Sequence, residues 1–182
     1  MSTLAITGYG RSGTMFLART LNTDPAWTVE HEPISGFHPC RAVQERFDAG
    51  NSLGNYGEVN SWLRLCFTGL YADHKRVILR DPIDILQSTY NRGRVDLPDL
   101  VRSLYVLDGL IQSGIRVVSF RRMTTDRGYI IALAEEMSVH LAGEFPMDRC
   151  NQSNPCSTVP IDLRTKAERD LAWFYRLYGD LL

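Results

Sequence analysis

No run of the chain approaches the roughly 20 consecutive apolar residues that a membrane-spanning helix needs. The sequence also enters a strand-like segment at once, without a basic and apolar leader. Nothing in it spans a membrane, and a soluble, cytoplasmic protein is the expectation. Charge of one sign is equally scarce. With 20 Lys and Arg against 21 Asp and Glu the net charge is −1, so no global basic field points to nucleic acid or an anionic membrane as partner. Any bound anion must be held by locally placed arginines and backbone N–H groups. The four cysteines, Cys40, Cys66, Cys150 and Cys156, contain no Cys-x-x-Cys pair, and the histidines are scattered at 31, 38, 74 and 140. This gives no metal-ligand spacing and no disulfide framework. Free thiols in a reducing compartment are the reading; Cys150 and Cys156, close together in a polar Asn/Ser/Pro stretch, are the pair that an oxidising setting could bridge. Internal repeats and low-complexity tracts are missing too.

What is present is a chain of 182 residues with 44% hydrophobic and 23% charged residues, the size and balance of one globular domain with a proper core. Short apolar strands are expected at residues 4–7, 27–30, 76–80 and 115–120, the third being the clearest, with Val77, Ile78 and Leu79 held between charges. Helical spacing is expected over residues 14–21, 41–47, 62–71, 82–90, 97–113, 126–141 and 165–177. Residues 143–161, rich in Pro, Asn, Ser and Cys, read as a surface loop or lid. Alternating strands and helices predict an α/β fold: a three-layer sandwich like that of P-loop nucleotide hydrolases, one central parallel sheet with helices on both faces. Its first strand, helix and second strand form a right-handed βαβ unit, with ligands outside the carboxyl ends of the strands.

The stretch Ile6-Thr7-Gly8-Tyr9-Gly10-Arg11-Ser12-Gly13-Thr14 is a strand, a glycine- and hydroxyl-rich turn and a helix start. That layout aims backbone N–H groups and the positive end of a helix dipole at one point. It almost fits the nucleotide-binding P-loop, since Gly8 and Gly13 flank four residues, but Thr14 follows Gly13 directly and the Lys is absent. A kinase or GTPase needs that Lys on the transferring phosphate. Here the cation is Arg11, inside the loop.

Gly10-Arg11-Ser12-Gly13-Thr14 after a first strand resembles the 5′-phosphosulfate-binding loop of sulfotransferases, whose cofactor is 3′-phosphoadenosine 5′-phosphosulfate. Val77-Ile78-Leu79-Arg80-Asp81-Pro82, with Ser88 further on, is similar to the same family's 3′-phosphate motif. Physically, Arg80 leaves a strand end as a fork for an anion and Ser88 projects a hydroxyl towards it; the alternative is a structural Arg80–Asp81 ion pair. His31-Glu32-Pro33 stands where tyrosylprotein and heparan-type members carry a catalytic Glu. The resemblance thus makes Glu32 the general base, with His31 the rival on its better-suited ordinary pKa. Tyr56-Gly57-Glu58-Val59-Asn60-Ser61 is similar to a Glu-Lys-Ser/Thr segment beside the acceptor, but with Val59 in place of Lys, which leaves Glu58 and Asn60 either orienting a ligand or purely structural.

The resemblance covers residues 4–140 and implies a sulfuryl transfer to the hydroxyl of a small-molecule, carbohydrate or peptide acceptor. Gly10, Arg11, Ser12, Gly13 and Thr14 hold the phosphosulfate, Arg80 and Ser88 hold the 3′-phosphate, and Arg11 stabilises the leaving group. Adenosine 3′,5′-bisphosphate is the product, and no metal is needed. The alternatives are a small-molecule or nucleotide kinase with a departed P-loop, and a non-catalytic nucleotide-binding relative that keeps only the anion sites.

Overall fold

The computed structural model describes residues 1–33, 36, 38–143 and 158–182. Five strands, β1 (Thr3–Gly8), β2 (Trp27–His31), β3 (Asn55–Val59), β4 (His74–Leu79) and β5 (Arg116–Ser119), form one all-parallel sheet in the order β2-β3-β1-β4-β5. The helices are α1 (Thr14–Leu21), α2 (Cys40–Asn51), α3 (Pro82–Tyr90), α4 (Leu97–Gln112), α5 (Phe120–Thr125), α6 (Arg127–Glu136), α7 (Ile161–Asp170) and α8 (Ala172–Tyr178).

Successive strand residues point to opposite faces, and each face has its own core. Leu4 and Ile6 of β1, Ile78 of β4 and Val118 of β5 pack under Leu17 and Leu21 of α1, Met123 of α5, and Ile130 and Leu133 of α6. Ala5, Val77 and Leu79 face the other way, onto Phe47 of α2, Ile85 and Leu86 of α3, Leu104 and Leu107 of α4, and Phe174 of α8. The result is the expected α/β three-layer sandwich. All five strands run the same way, so their carboxyl ends, and the loops that leave them, share one edge.

Several elements differ from the sequence expectation. Residues 55–59 are a strand, and it lies between β1 and β2, so the first strand-helix-strand unit joins strands that are not neighbours. The sequence hides β3 because Gly57 is a poor strand residue. It is glycine because a Cβ there would lie 2.3 Å from Cγ of Leu4 on the adjoining strand. Residues 62–71 are two short 3-10 turns, Ser61–Leu65 and Phe67–Gly69, rather than one helix. The expected helix over 126–141 ends at Glu136, after a separate α5, and that over 165–177 is broken at Leu171 into α7 and α8. Most of the expected lid at 143–161, with Cys150 and Cys156, lies outside the described residues. Cys40 and Cys66 are free thiols, the first exposed and the second buried.

Candidate functional site

The turn after β1 closes with the Ser12 N–H donating to the Tyr9 carbonyl (3.0 Å). Arg11 (φ 74°) and Gly13 (φ 90°) both take left-handed conformations. Gly13 has to be glycine on two counts: that φ, and a Cβ there would meet the Phe120 ring at 2.6 Å. The first N–H groups of α1, from Thr14 onward, have no intrahelical acceptor, so the loop and the helix start present a cluster of donors. Thr14 and Ser12 are buried. The Ser12 hydroxyl finds no partner among the described residues, whereas the Thr14 hydroxyl lies 3.1 Å from His31 Nε2.

Arg80 follows the last residue of β4 and reaches back across this loop. Its Nη1 donates to the Arg11 carbonyl (2.8 Å), and Arg11 Nε donates to Ser88 Oγ on α3 (3.1 Å). The two stretches that sequence alone treats as separate anion motifs are thus one connected unit with Arg11 at its centre. Phe120, at the start of α5, braces both halves: its ring packs against Gly13 and lies 4.4 Å below the Arg80 guanidinium. Asp81 forms no ion pair with Arg80. It caps α3 by accepting from the Ile83 N–H (2.8 Å) and also accepts a hydrogen bond from the Tyr175 hydroxyl (2.7 Å).

At this edge burial and, for Arg11, like charge outweigh the nearby carboxylates. Desolvation pushes the Arg11 guanidinium below its ordinary value, and Arg92 and Arg80 push it further, with Glu32 opposing. Arg80 is lowered as well, by desolvation, with Asp84 and Asp81 opposing. Among the described residues none of Arg11, Arg80 and Arg92 makes an ion pair. Arg92 escapes the sequence reading, although Arg92-Gly93-Arg94 after a helix that carries Ser88 is a visible cationic signal.

Glu32 lies just beyond β2 on the same edge, in a left-handed conformation (φ 46°) that is unusual for a residue with a Cβ. Its N–H donates to the Val59 carbonyl (3.3 Å), and its Oε1 accepts from the Ser61 hydroxyl (2.7 Å). His31 is pushed below its ordinary value, mainly by desolvation with Arg19 adding and Glu32 opposing, so it is neutral near pH 7 and engaged with Thr14.

Glu58 and Asn60 have structural roles in this arrangement. Glu58 is 0% exposed and gripped by both Nε and Nη2 of Arg46, the latter at 2.7 Å; Tyr56 also lies within hydrogen-bond reach, its hydroxyl 2.8 Å from Glu30 and 3.0 Å from Glu58. Asn60 caps the first 3-10 turn, accepting from the Trp62 N–H at 2.9 Å. Arg64, in that turn, is a further buried arginine on this edge that sequence reading missed: it lies in a stretch read as an ordinary amphipathic helix.

Among the described residues no cluster of three or more His, Cys, Asp or Glu suits a metal ion, and no helix is long and apolar enough to cross a membrane. The chain matches no protein-family model and no curated protein sequence. Its fold, however, recurs in solved structures. It is similar to a tunicamycin resistance protein from Deinococcus radiodurans, with a TM-score of 0.54 and 15% identity over 79% of this chain and 99% of that one. It is also similar to a sulfotransferase from Alicyclobacillus acidocaldarius, with a TM-score of 0.53 and 15% identity over 97% of this chain and 95% of that one. The architecture is therefore one on which a sulfotransferase is built.

Proposed function

We propose that this chain is a sulfotransferase that moves the sulfuryl group of 3′-phosphoadenosine 5′-phosphosulfate to an acceptor hydroxyl. The observation that carries the reading is the trio Arg11, Arg80 and Arg92, three guanidiniums without ion pairs around a loop of backbone donors. Desolvation lowers both Arg11 and Arg80, and holding like charges together is costly unless an anion balances them. One phosphate would not need three cations and a glycine-rich cradle; a ligand with charge at both ends would. The fold shared with a solved sulfotransferase and the two sequence motifs agree with this.

The residues fit the cofactor. N–H groups of the loop from Gly10 to Thr14, other than that of Ser12, take the phosphosulfate end together with the unpartnered Ser12 hydroxyl; a Cβ on Gly10 would meet nothing within 4 Å, so the approach is open. Arg80 and Ser88 take the 3′-phosphate. The cofactor supplies the activated sulfuryl group. Glu32, held by Ser61, accepts the proton of the attacking hydroxyl. His31 is the weaker candidate for that task, because its Nε2 is committed to Thr14; it positions that hydroxyl at the head of α1. Arg11, tied to Ser88, faces the charge that grows as adenosine 3′,5′-bisphosphate leaves, a preorganised electrostatic contribution. A kinase reading lacks its Lys after Gly13.

The test is calorimetry with adenosine 3′,5′-bisphosphate, ADP and magnesium-ATP. Tighter binding of the bisphosphate supports the reading, and preference for magnesium-ATP overturns it. For the base, Glu32→Gln should keep bisphosphate affinity while transfer falls by about a hundredfold or more, the usual share of a general base. If His31→Ala abolishes transfer and Glu32→Gln does not, the roles are reversed.

A further inference from the structure

Arg64 is 8% exposed, yet it has no carboxylate in ion-pair contact among the described residues. Its Nη1 donates to the Ser61 carbonyl, and its Nε is buried with no partner. Nε is therefore an unused buried donor, and Nη2 beside it makes no hydrogen bond to the described residues. Nε and Nη2 form the edge with which Arg46 holds both carboxylate oxygens of Glu58 in this same molecule. A planar carboxylate matches this fork in two parallel hydrogen bonds. Leaving a buried charged donor unpaired costs at least as much as an ordinary hydrogen bond gains, so an empty fork in a dry setting points to something that fills it.

The position of Arg64 says what that is. Ser61 links it directly to the proposed base, because the Ser61 carbonyl accepts from Arg64 while the Ser61 hydroxyl donates to Glu32. The guanidinium lies over two rings, 5.8 Å from the centre of Tyr9 in the phosphate loop and 5.4 Å from that of Trp62. Trp62 is 37% exposed, a large apolar ring open to solvent beside the Arg64 guanidinium. Tyr9 is anchored in turn by donating its hydroxyl proton to Asp99 (3.2 Å). The carboxylates of Glu32 and Asp99 lie close enough to be felt by Arg64, but neither engages its fork.

We infer that Arg64 is a specificity-determining residue, whose free Nε–Nη2 edge binds a carboxylate on the acceptor while Glu32 takes the proton from that acceptor's hydroxyl. The substrate class is thus a hydroxyl compound bearing an acid group, with a ring or apolar face set against Trp62. This rests on the sulfotransferase reading and narrows it. The acceptor carboxylate thus supplies the direct hydrogen-bonded partner that neither Asp99 nor Glu32 gives Arg64.

The experiment uses the full chain saturated with adenosine 3′,5′-bisphosphate and a pair of probes that differ only in charge, 4-hydroxyphenylacetate and 4-hydroxyphenylacetamide. The acid should bind about tenfold more tightly or better, the worth of a charge-assisted pair. Arg64→Gln should erase the difference while bisphosphate affinity stays; Arg64→Lys, which keeps charge but loses the fork, should keep only part of it. A merely structural Arg64 would weaken both probes alike. Equal binding of acid and amide, binding of neither, or a preference that survives Arg64→Gln overturns the inference. If Arg64→Gln does not fold, the wild-type comparison and Arg64→Lys still decide it. Bisphosphate binding is measured first: its failure removes the sulfotransferase reading itself, whereas its success with no acid preference removes only the role of Arg64.

Discussion

Strand β4 has an arginine near each end, and the two are treated in opposite ways. Arg76, near its amino end, is almost wholly buried and meets Glu136 at 3.3 Å; Arg116 at the same end of the neighbouring strand meets Glu136 too, at 3.1 Å. Arg80, just past the carboxyl end, rests on a ring and a backbone carbonyl and has no ion pair among the described residues. Arg46 and Arg64 repeat the contrast beside β3, one fork filled by Glu58 and the other empty. A cation balanced from within the chain serves the fold. A cation left unbalanced at the carboxyl edge of a parallel sheet, where loops and ligands meet, is free to serve a ligand.

The first way to break that contrast is to remove a filled fork. Arg46→Ala leaves the fully buried Glu58 carboxylate without its counter-charge, and losing one partner of a buried pair costs about 3 kcal/mol. Arg46 is itself partly exposed, 24% by side chain, which lets water repay some of that cost. Denaturant unfolding should show the loss, with bisphosphate affinity unchanged in the folded fraction. A variant as stable as wild type would mean that Glu58 is not held by charge.

The converse substitution acts on binding alone. Arg80→Ala removes a desolvated cation with no ion-pair partner, so the melting temperature should hold or rise slightly, while the dissociation constant for adenosine 3′,5′-bisphosphate climbs about a hundredfold, near 2.7 kcal/mol. Calorimetry and thermal unfolding on the same sample read both. A large drop in stability with unchanged affinity would put Arg80 in the same class as Arg76.

The split between what the sequence shows and what it hides follows the same physics. β1 and β4 are legible because fully buried parallel strands read as apolar runs, Leu4 to Ile6 and Val77 to Leu79. β3 is not, because three of its four buried positions are Tyr56, Gly57 and Glu58, which become compatible with the interior only through Arg46, Glu30 and the Leu4 side chain. The loop and the Arg80 strand end carry local patterns and are visible. Their union through Arg11 and Ser88 is not, since those residues are 77 apart in the chain and only the strand order brings them together. Phe120 as a brace depends on contacts between distant parts of the chain, and Arg64 as an empty fork on which partners are missing. Spacing in a sequence does not report a missing partner.

Protonation offers the mildest probe of the contrast. The carboxyl edge accepts unpaired arginines, whose charge is fixed, but it does not stabilise a charge on His31. Burial outweighs Glu32 there and holds the imidazole below its ordinary value, and His74 at the other end of the sheet is lowered as well, by burial and then Arg76. When the folded value is the lower one, the unfolded chain binds more protons. Stability is therefore complete above about pH 6.5, the ordinary value, and falls as pH drops from there towards the folded value, below which it levels. Melting temperatures should be lower at pH 5.5 than at pH 7.5, a window that lies above the ordinary carboxylate range. His31→Gln keeps a partner for Thr14 but cannot titrate, so it should shrink that difference, leaving the share that belongs to His74. Saturating bisphosphate should shrink it in the wild type too, because an anion beside Thr14 makes an imidazolium at His31 less costly. An acid-side loss that neither His31→Gln nor the ligand changes would show that His31 titrates as freely folded as unfolded, and that the edge discriminates among arginine partners without disfavouring new charge.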